Sequence, residues 1–361
     1  MSHQKTEIYT GDPIAGLKVF PILNRQLGLS PYKGNKPFRG IFDEMDFSFL
    51  ERVVNPQDAD FLVVPHYFSS VKDMKSYLQP FVELSKRYNK KIIVFAYGDA
   101  EVSVSLPNCI VFRYAHYRNE IRPNEIVGPC QVYDSATFRD ELFFLRNKSL
   151  DTAQDRQEKP VVSFCGWGDL GTPRERLHYL LRMVPSIVRK YFLFDKRADV
   201  YKQGIYWRRK ALRALAGSSL VKTSFIVRDF YSANKNTVKG NLADLRKEYI
   251  ENIQNSDFVL TPRGDSNMAI RFYEALVLGR IPVVIDTEWV LPLEDVIDYK
   301  KFVVFVPHAD IQNTDKYIRE FWDKLSNEDF HTVQKRARET FMQYLKFDSY
   351  FRFIFQNILN P

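Results

Sequence analysis

Along most of this chain, short runs rich in Val, Ile and Phe alternate with longer stretches whose apolar residues recur every three or four positions. No other feature constrains the fold as tightly. A short continuous apolar run suits a strand buried on both faces, and parallel strands so buried need helices between them. The chain therefore reads as α/β, a series of βα units. Expected strands in the first half are residues 17–22, 60–65, 91–97 and 109–114, and residues 70–88 place Met74, Leu78, Phe81, Leu84 and Tyr88 on one helical face. In the second half they are residues 160–165, 224–228, 257–261, 281–286 and 302–306, with a helix over 241–254.

A chain of 361 residues exceeds what one core usually supports. The polar stretch 149–159 is the best boundary. The expected organisation is a Rossmann-like domain over 1–155, a second over 156–335, and a helical tail over 336–361 that packs back toward the first. The tail's Phe341, Tyr344 and Phe351 need an apolar surface to cover. Ligands bind outside the carboxyl ends of parallel strands, so two such domains are expected to face each other across a cleft that holds the site.

Lys and Arg number 52 against 44 Asp and Glu, a net charge of +8 that favours anionic partners. Basic residues are dispersed, so no specific nucleic acid is expected, while peripheral contact with an anionic membrane fits the charge. Three cysteines, Cys109, Cys130 and Cys165, have spacings of neither a metal site nor a disulfide framework. The first ten residues lack the apolar core of a signal peptide, and no run is long enough to span a bilayer. A cytoplasmic location, with or without membrane association, is the simplest reading; an excised luminal domain would look the same.

Chemistry concentrates in residues 257–299. A buried strand leads to Thr261-Pro-Arg-Gly-Asp-Ser-Asn267, which opens onto an expected helix over 268–278 closed by Gly279. A glycine-containing turn from strand to helix suits a diphosphate, through backbone N–H groups and the positive end of the helix dipole. Asn267, Arg271 and Glu274 share one helix face. Arg271 suits phosphate oxygens and Glu274 suits two ribose hydroxyls. The plainer alternative is a surface salt bridge between Arg271 and Glu274, with Gly264 only a turn residue.

The run from Thr261 to Tyr299 resembles the C-terminal signature of the exostosin family, in which a Pro-Arg-Gly loop, an Arg-Phe-x-Glu-Ala helix, a Gly-x-x-Pro-Val strand, a Leu-Pro and an Ile-Asp-Trp follow in order. Asn55-Pro-Gln-Asp-Ala-Asp-Phe-Leu-Val-Val-Pro-His-Tyr67 and Pro160-Val-Val-Ser-Phe-Cys-Gly166 resemble two further segments of that family. The resemblance implies a GT-B architecture of two facing Rossmann-like domains. It also implies inverting transfer from a nucleotide diphosphate sugar, usually a UDP-sugar, to a saccharide, glycan or glycolipid acceptor, as in polysaccharide biosynthesis, with no metal and no other cofactor. Two departures stand out: Ala269 replaces a family Ser, and Asp265 brings a negative charge into the loop assigned to phosphate.

Inverting transfer needs a base for the acceptor hydroxyl and cations or dipoles for the leaving diphosphate. For the donor the expected residues are Arg271, Gly264, Ser266 and Asn267, then Arg263 and Arg228, with Glu274 on the ribose and Asp286 and Glu288 on the sugar. Arg228 is equally suited to an ion pair with Asp229. For the base they are His66, Asp99 and Asp12 at strand ends of the first domain, with Glu101 and Asp169 behind them. Two rival readings remain: a catalytically silent nucleotide-sugar-binding homologue, and a sugar transferase acting on nucleic acid.

Overall fold

The computed structural model describes residues 5–29, 45–98, 102–130, 158–230 and 238–359. It divides into two compact units, one of Met1–Phe144, Val290–Leu293 and Met342–Pro361, the other of Leu145–Trp289 and Glu294–Phe341. Each is built on one parallel sheet, which bears out the α/β expectation. Most of the polar stretch 149–159, up to residue 157, lies outside the described residues.

The first unit holds β1 (Thr6–Thr10), β2 (Leu50–Arg52), β3 (Phe61–Tyr67), β4 (Lys91–Phe95), β5 (Cys109–Arg113) and β6 (Glu125–Val127) in the order β2-β1-β3-β4-β5-β6. Every pairing is parallel. Successive side chains alternate between the two faces. Leu62, Val64, Ile92, Val94 and Val111 pack with Leu78 and Phe81 of the Lys75–Tyr88 helix. Phe61, Val63, Ile93, Phe95 and Phe112 point the other way, where Phe347, Phe351 and Phe355 from the end of the chain cover them. The ring of Phe351 lies 5.3 Å from that of Phe112, and the Tyr350 hydroxyl donates to the Val127 carbonyl at 2.9 Å.

Two expectations need correction. Residues 17–22 form no strand: Val19 makes an isolated bridge to His66, and Pro21–Leu23 is a 3-10 turn. Proline has no N–H for a ladder, so it opens the turn instead, and Phe20 enters the core to stack on Phe95 at 3.8 Å. The first strand is Thr6–Thr10, in a segment that looked merely polar. Its Thr6, Ile8 and Thr10 are buried and only Glu7 is fully exposed. The helix expected over 70–88 is two, Phe68–Val71 and Lys75–Tyr88.

The second unit holds β7 (Val161–Trp167), β8 (Lys222–Arg228), β9 (Phe258–Leu260), β10 (Ile281–Asp286) and β11 (Val304–Pro307), in the order β11-β10-β9-β7-β8 and all parallel. In both sheets the second strand joins one side of the first and the third strand joins the other. The chain thus reverses direction across the sheet between β1 and β3 and between β7 and β9, the places where open α/β sheets bind ligands. No helix among the described residues is long and apolar enough to cross a membrane.

Glu125, the first residue of β6, is buried between Arg113 at the end of β5 and His116. Its Oε1 accepts from Arg113 Nε at 2.9 Å and its Oε2 from His116 Nε2 at 2.8 Å, while the Arg122 N–H adds a third bond at 3.0 Å. His116 Nδ1 accepts the Tyr117 N–H at 2.9 Å, which fixes the ring proton on Nε2. Burial pushes the Glu125 carboxyl up, but His116, Arg122 and Arg113 outweigh it and bring it down to about 2.

Two outcomes follow. Phe351→Ala removes a fully buried ring among Phe95, Phe112, Phe347 and Phe355, and is expected to cost about 3–5 kcal/mol, measured by urea denaturation. Glu125 has its folded-state pKa below the ordinary value of 4.5. Its contribution, on the order of 3 kcal/mol, is therefore complete above pH 4.5 and lost as the pH falls toward 2. Urea midpoints followed down that window should drop less steeply in Glu125→Gln than in the native chain.

Candidate functional site at the switch point of the second sheet

Between β9 and the helix that follows, the loop of residues 261–267 is held both by its own bonds and by bonds to neighbouring segments. The Gly264 N–H donates to the Met268 carbonyl at 2.7 Å, and the Met268 N–H to the Ser266 carbonyl at 2.8 Å. Arg263 is buried, with its guanidinium donating to the carbonyls of Val200 at 3.0 Å and Asp265 at 2.8 Å. The Asn267 amide donates to the Thr287 carbonyl at 3.1 Å and accepts the Thr287 hydroxyl at 2.7 Å, tying the loop to the exit of β10. Gly264, Arg263 and Asn267, expected on phosphate, therefore act here as loop clamps. Asp265 is exposed, which relieves the electrostatic cost its sequence position implied. The helix is Ile270–Val277, shorter than expected, because Ala269 keeps an extended backbone and has no hydroxyl to cap it.

One contact to this loop had no counterpart in the sequence reading. A Cβ on Gly204, at the start of the Gly204–Ala216 helix, would lie 2.3 Å from the Gly264 carbonyl oxygen and 2.6 Å from that of Arg263. Only glycine lets helix and loop approach so closely.

Arg271 sits at the switch point itself. Its Nη2 donates to the Cys165 carbonyl of β7 at 2.7 Å, and its guanidinium lies 4.3 Å from the Phe164 ring centre. Its buried Nε has no hydrogen-bond partner. Gly166 makes room for it: at φ +145° it carries no Cβ, which would otherwise fall 2.9 Å from Arg271 Nη2. Glu274 is not paired with Arg271. Its Oε1 accepts from Arg246 Nη1 at 2.8 Å and its Oε2 from the Tyr249 hydroxyl at 2.5 Å, both on the Leu242–Gln254 helix. Burial, then the Glu274 carboxylate, pushes the Tyr249 phenol far above its ordinary range, so it stays a donor.

Arg228 ends β8 buried, with Nη2 2.5 Å from Glu248 and 3.1 Å from the Leu245 carbonyl. Asp229, the partner weighed for it, binds Lys239 at 2.6 Å instead. Arg228, Arg246 and Arg271 with Glu248 and Glu274 thus surround the end of β7. Burial pushes the Cys165 thiol up there, and Arg228 and Arg271 pull it back.

Of the two acids expected on the donor sugar, Asp286 accepts the Trp289 N–H at 3.3 Å. Glu288, at φ +60°, is held by Arg197 through Nε at 2.8 Å and Nη2 at 2.5 Å. In the first unit, His66 is fully buried with both ring nitrogens committed. Nε2 accepts the Ile14 N–H at 2.9 Å and Nδ1 donates to the Lys18 carbonyl at 3.1 Å. A general base would have to take the proton on Nε2, which would break the bond from Ile14. Asp12 follows β1 with its side chain wholly exposed, 3.6 Å from Arg52. Asp99 and Glu101 lie outside the described residues. Asp169 Oδ1 accepts the adjoining Leu170 N–H at 2.8 Å.

A further motif, absent from the sequence expectations, is Gly166-Trp-Gly168-Asp-Leu-Gly171, which runs from the last residues of β7 to just before the Pro173–Tyr191 helix. That spacing between a strand and a helix belongs to dinucleotide-binding turns. Each glycine has a neighbour too close for a side chain: Arg271 at Gly166, Leu212 and Val227 at Gly168, and Asp229 at Gly171. The N–H groups of Gly168 and Asp169 both donate to the Arg228 carbonyl, at 3.0 and 3.2 Å. The turn is therefore stapled to β8. Its signal in the sequence is the glycine spacing directly after an apolar strand.

These features define a parallel α/β protein whose second unit gathers arginines at the point where ligands of such sheets bind. Residues 186–321 match the family model of the Exostosin GT47 domain, a span that includes the loop, Arg271 and Glu274. That match, almost all of it in the second unit, agrees with the exostosin resemblance read from the sequence. Among similar proteins, an Exostosin-1 homolog of Caenorhabditis elegans is 33% identical over 120 residues, 32% of this chain and 30% of that protein. A probable arabinosyltransferase of Arabidopsis thaliana is 38% identical over 61 residues, 17% of this chain and 14% of that protein. The chain thus spans less than a third of the length of these relatives. A solved glycosyltransferase from Rickettsia africae ESF-5 aligns over 99% of this chain and 100% of its own with 11% identity and a TM-score of 0.37.

The glycine contacts give a test with opposite signs. Gly204→Ala is expected to lose about 1–3 kcal/mol as the loop is forced away. Gly217→Ala, where a Cβ meets nothing within 4 Å, is expected to gain up to about 1 kcal/mol. Thermal unfolding of both variants beside the parent checks this.

Proposed function

We propose that this chain is an inverting glycosyltransferase that moves a sugar from a nucleotide diphosphate donor, a UDP-sugar, onto a hydroxyl of a saccharide or glycoconjugate. The observation that carries the reading is Arg271. It stands between the ends of β7 and β9, where such sheets bind ligands, with one N–H on the Cys165 carbonyl and its Nε without a partner. A guanidinium with donors to spare, stacked on Phe164, is a ready counter-charge for diphosphate oxygens.

In this reading the acceptor oxygen attacks the anomeric carbon from the face opposite the diphosphate. The bond from that carbon to the phosphate oxygen breaks, and its electron pair leaves with the diphosphate, whose growing charge Arg271 balances. The acceptor proton passes to a carboxylate, with Asp12 and Asp99 as the residues assigned. Asp12 has an exposed side chain and a single long ion pair, so it is open to an acceptor. Glu274 contacts a ribose only by sharing oxygens already held by Arg246 and Tyr249. It therefore serves first to position the Leu242–Gln254 helix beside Arg271.

Arg271→Ala removes a charge-assisted bond of about 1.5–3 kcal/mol, and UDP affinity measured by calorimetry is expected to fall roughly ten- to a hundredfold. Equal affinities in parent and variant, with both folded by circular dichroism, would place the nucleotide elsewhere. Binding of UDP with no transfer or hydrolysis of any sugar nucleotide would favour the silent homologue.

A further inference from the structure

Among the described residues, the Pro173–Tyr191 helix is buried along one narrow line. Met183 and Ser186 are buried and Tyr179 is half-buried, but nearly every other position is exposed. On the side opposite that line the sequence is apolar. Leu177, Leu180, Leu181, Val184 and Val188 recur at spacings of three and four, so they form one stripe along the helix. All five are exposed, Leu180 at 61%. The stripe continues past the helix end into Phe192, Leu193 and Phe194, exposed at 74%, 68% and 83%. Phe194 takes a left-handed backbone, φ +52°, a conformation that a bulky residue rarely adopts. An apolar surface this continuous is rare on a chain with nothing to cover it, and marks a contact.

The charges around the stripe decide what covers it. Arg174, Arg182 and Arg189 fall along one flank and are exposed, and Lys196 lies just past the end. The one acid of the helix, Glu175, turns to the packed side and accepts the Thr172 N–H at 3.0 Å in the N-terminal capping box. A second copy docked stripe to stripe would bring two arginine rims together, at a cost in like-charge repulsion. Anionic headgroups would complement them instead. The helix has 19 residues and too many charges to span a bilayer, but an apolar face with a basic flank suits a helix lying in the membrane surface.

We propose that residues 173–194 are a membrane-seating surface that lays the second unit on an anionic lipid bilayer, with the leucine stripe and the Phe192-Leu-Phe194 tip in the acyl boundary and the arginines among the headgroups. The proposal is independent of the glycosyltransferase reading, since none of these side chains belongs to the Arg271 cluster.

Flotation of the full chain with lipid vesicles tests it. Vesicles of phosphatidylcholine mixed with phosphatidylglycerol should carry the chain to the top of a density gradient, less so as salt rises, whereas pure phosphatidylcholine should carry little. Leu180→Gln with Leu181→Gln should weaken vesicle binding at least about tenfold, and Arg182→Gln with Arg189→Gln should remove most of the preference for the anionic lipid. Circular dichroism and UDP affinity should stay at parent values, because the changed side chains are exposed. A chain that stays at the bottom with anionic vesicles at low salt, or variants that float as well as the parent, would overturn the proposal. So would a dimer in sedimentation equilibrium that the leucine variant dissociates while no vesicle binds, which would make the stripe a contact between copies.

Discussion

A parallel sheet has to be covered on both faces, because its strands are apolar on both, and the first sheet meets that requirement with the end of the chain. One face is covered from close by, by the helix that follows β3. The other has no helix of its own among the described residues of the first half and is covered by Phe347, Phe351 and Phe355. The ladder of rings from Phe20 through Phe95 and Phe112 to Phe351 ties the beginning of the chain to its last residues. A core closed by contacts so distant in sequence forms only after the whole chain is present, and such long-range closure slows folding.

In the second unit the same need for close packing produces the site. Gly166, Gly168, Gly171 and Gly204 each stand where a side chain would strike a neighbour, so loops and helix starts crowd together at the carboxyl edge of the sheet. Most polar groups of that edge are used in holding it: Arg263 on carbonyls, Asn267 on Thr287, Glu288 on Arg197, Arg228 on Glu248. Those bonds make a rigid frame. Within it Arg271 keeps a buried Nε with no hydrogen-bond partner beside the end of β7, and that makes it the focus of the functional reading.

β7, β9 and β10 of the second sheet were readable to within two residues, because each is a mostly apolar run set between polar turns. β1 was not, since Thr6-Glu-Ile-Tyr-Thr10 buries hydroxyl-bearing residues that look polar in isolation. Residues 17–22 misled in the opposite direction: an apolar run can be a plug into a core as well as a strand, and Pro21 was the sign. At the site, the Arg271 and Glu274 face was legible from helical spacing, and the Gly166 turn would have been legible from glycine spacing. The partners of Glu274 were not, because Arg246 and Tyr249 lie on a different helix at a distance in sequence that no local rule bridges.

By itself the sequence determined the class of fold, the resemblance carried by residues 261–299 and the side chains available at the strand ends, since these depend on period, turn chemistry and motif order along the chain. Only the tertiary structure decided which of those side chains are committed to holding loops and which retain free donors. It also decided that the leucine stripe of the Pro173–Tyr191 helix faces outward, where a sequence pattern alone reads as core. Both decisions depend on what packs against what, and packing partners are chosen by the closed fold, not by neighbours in the chain.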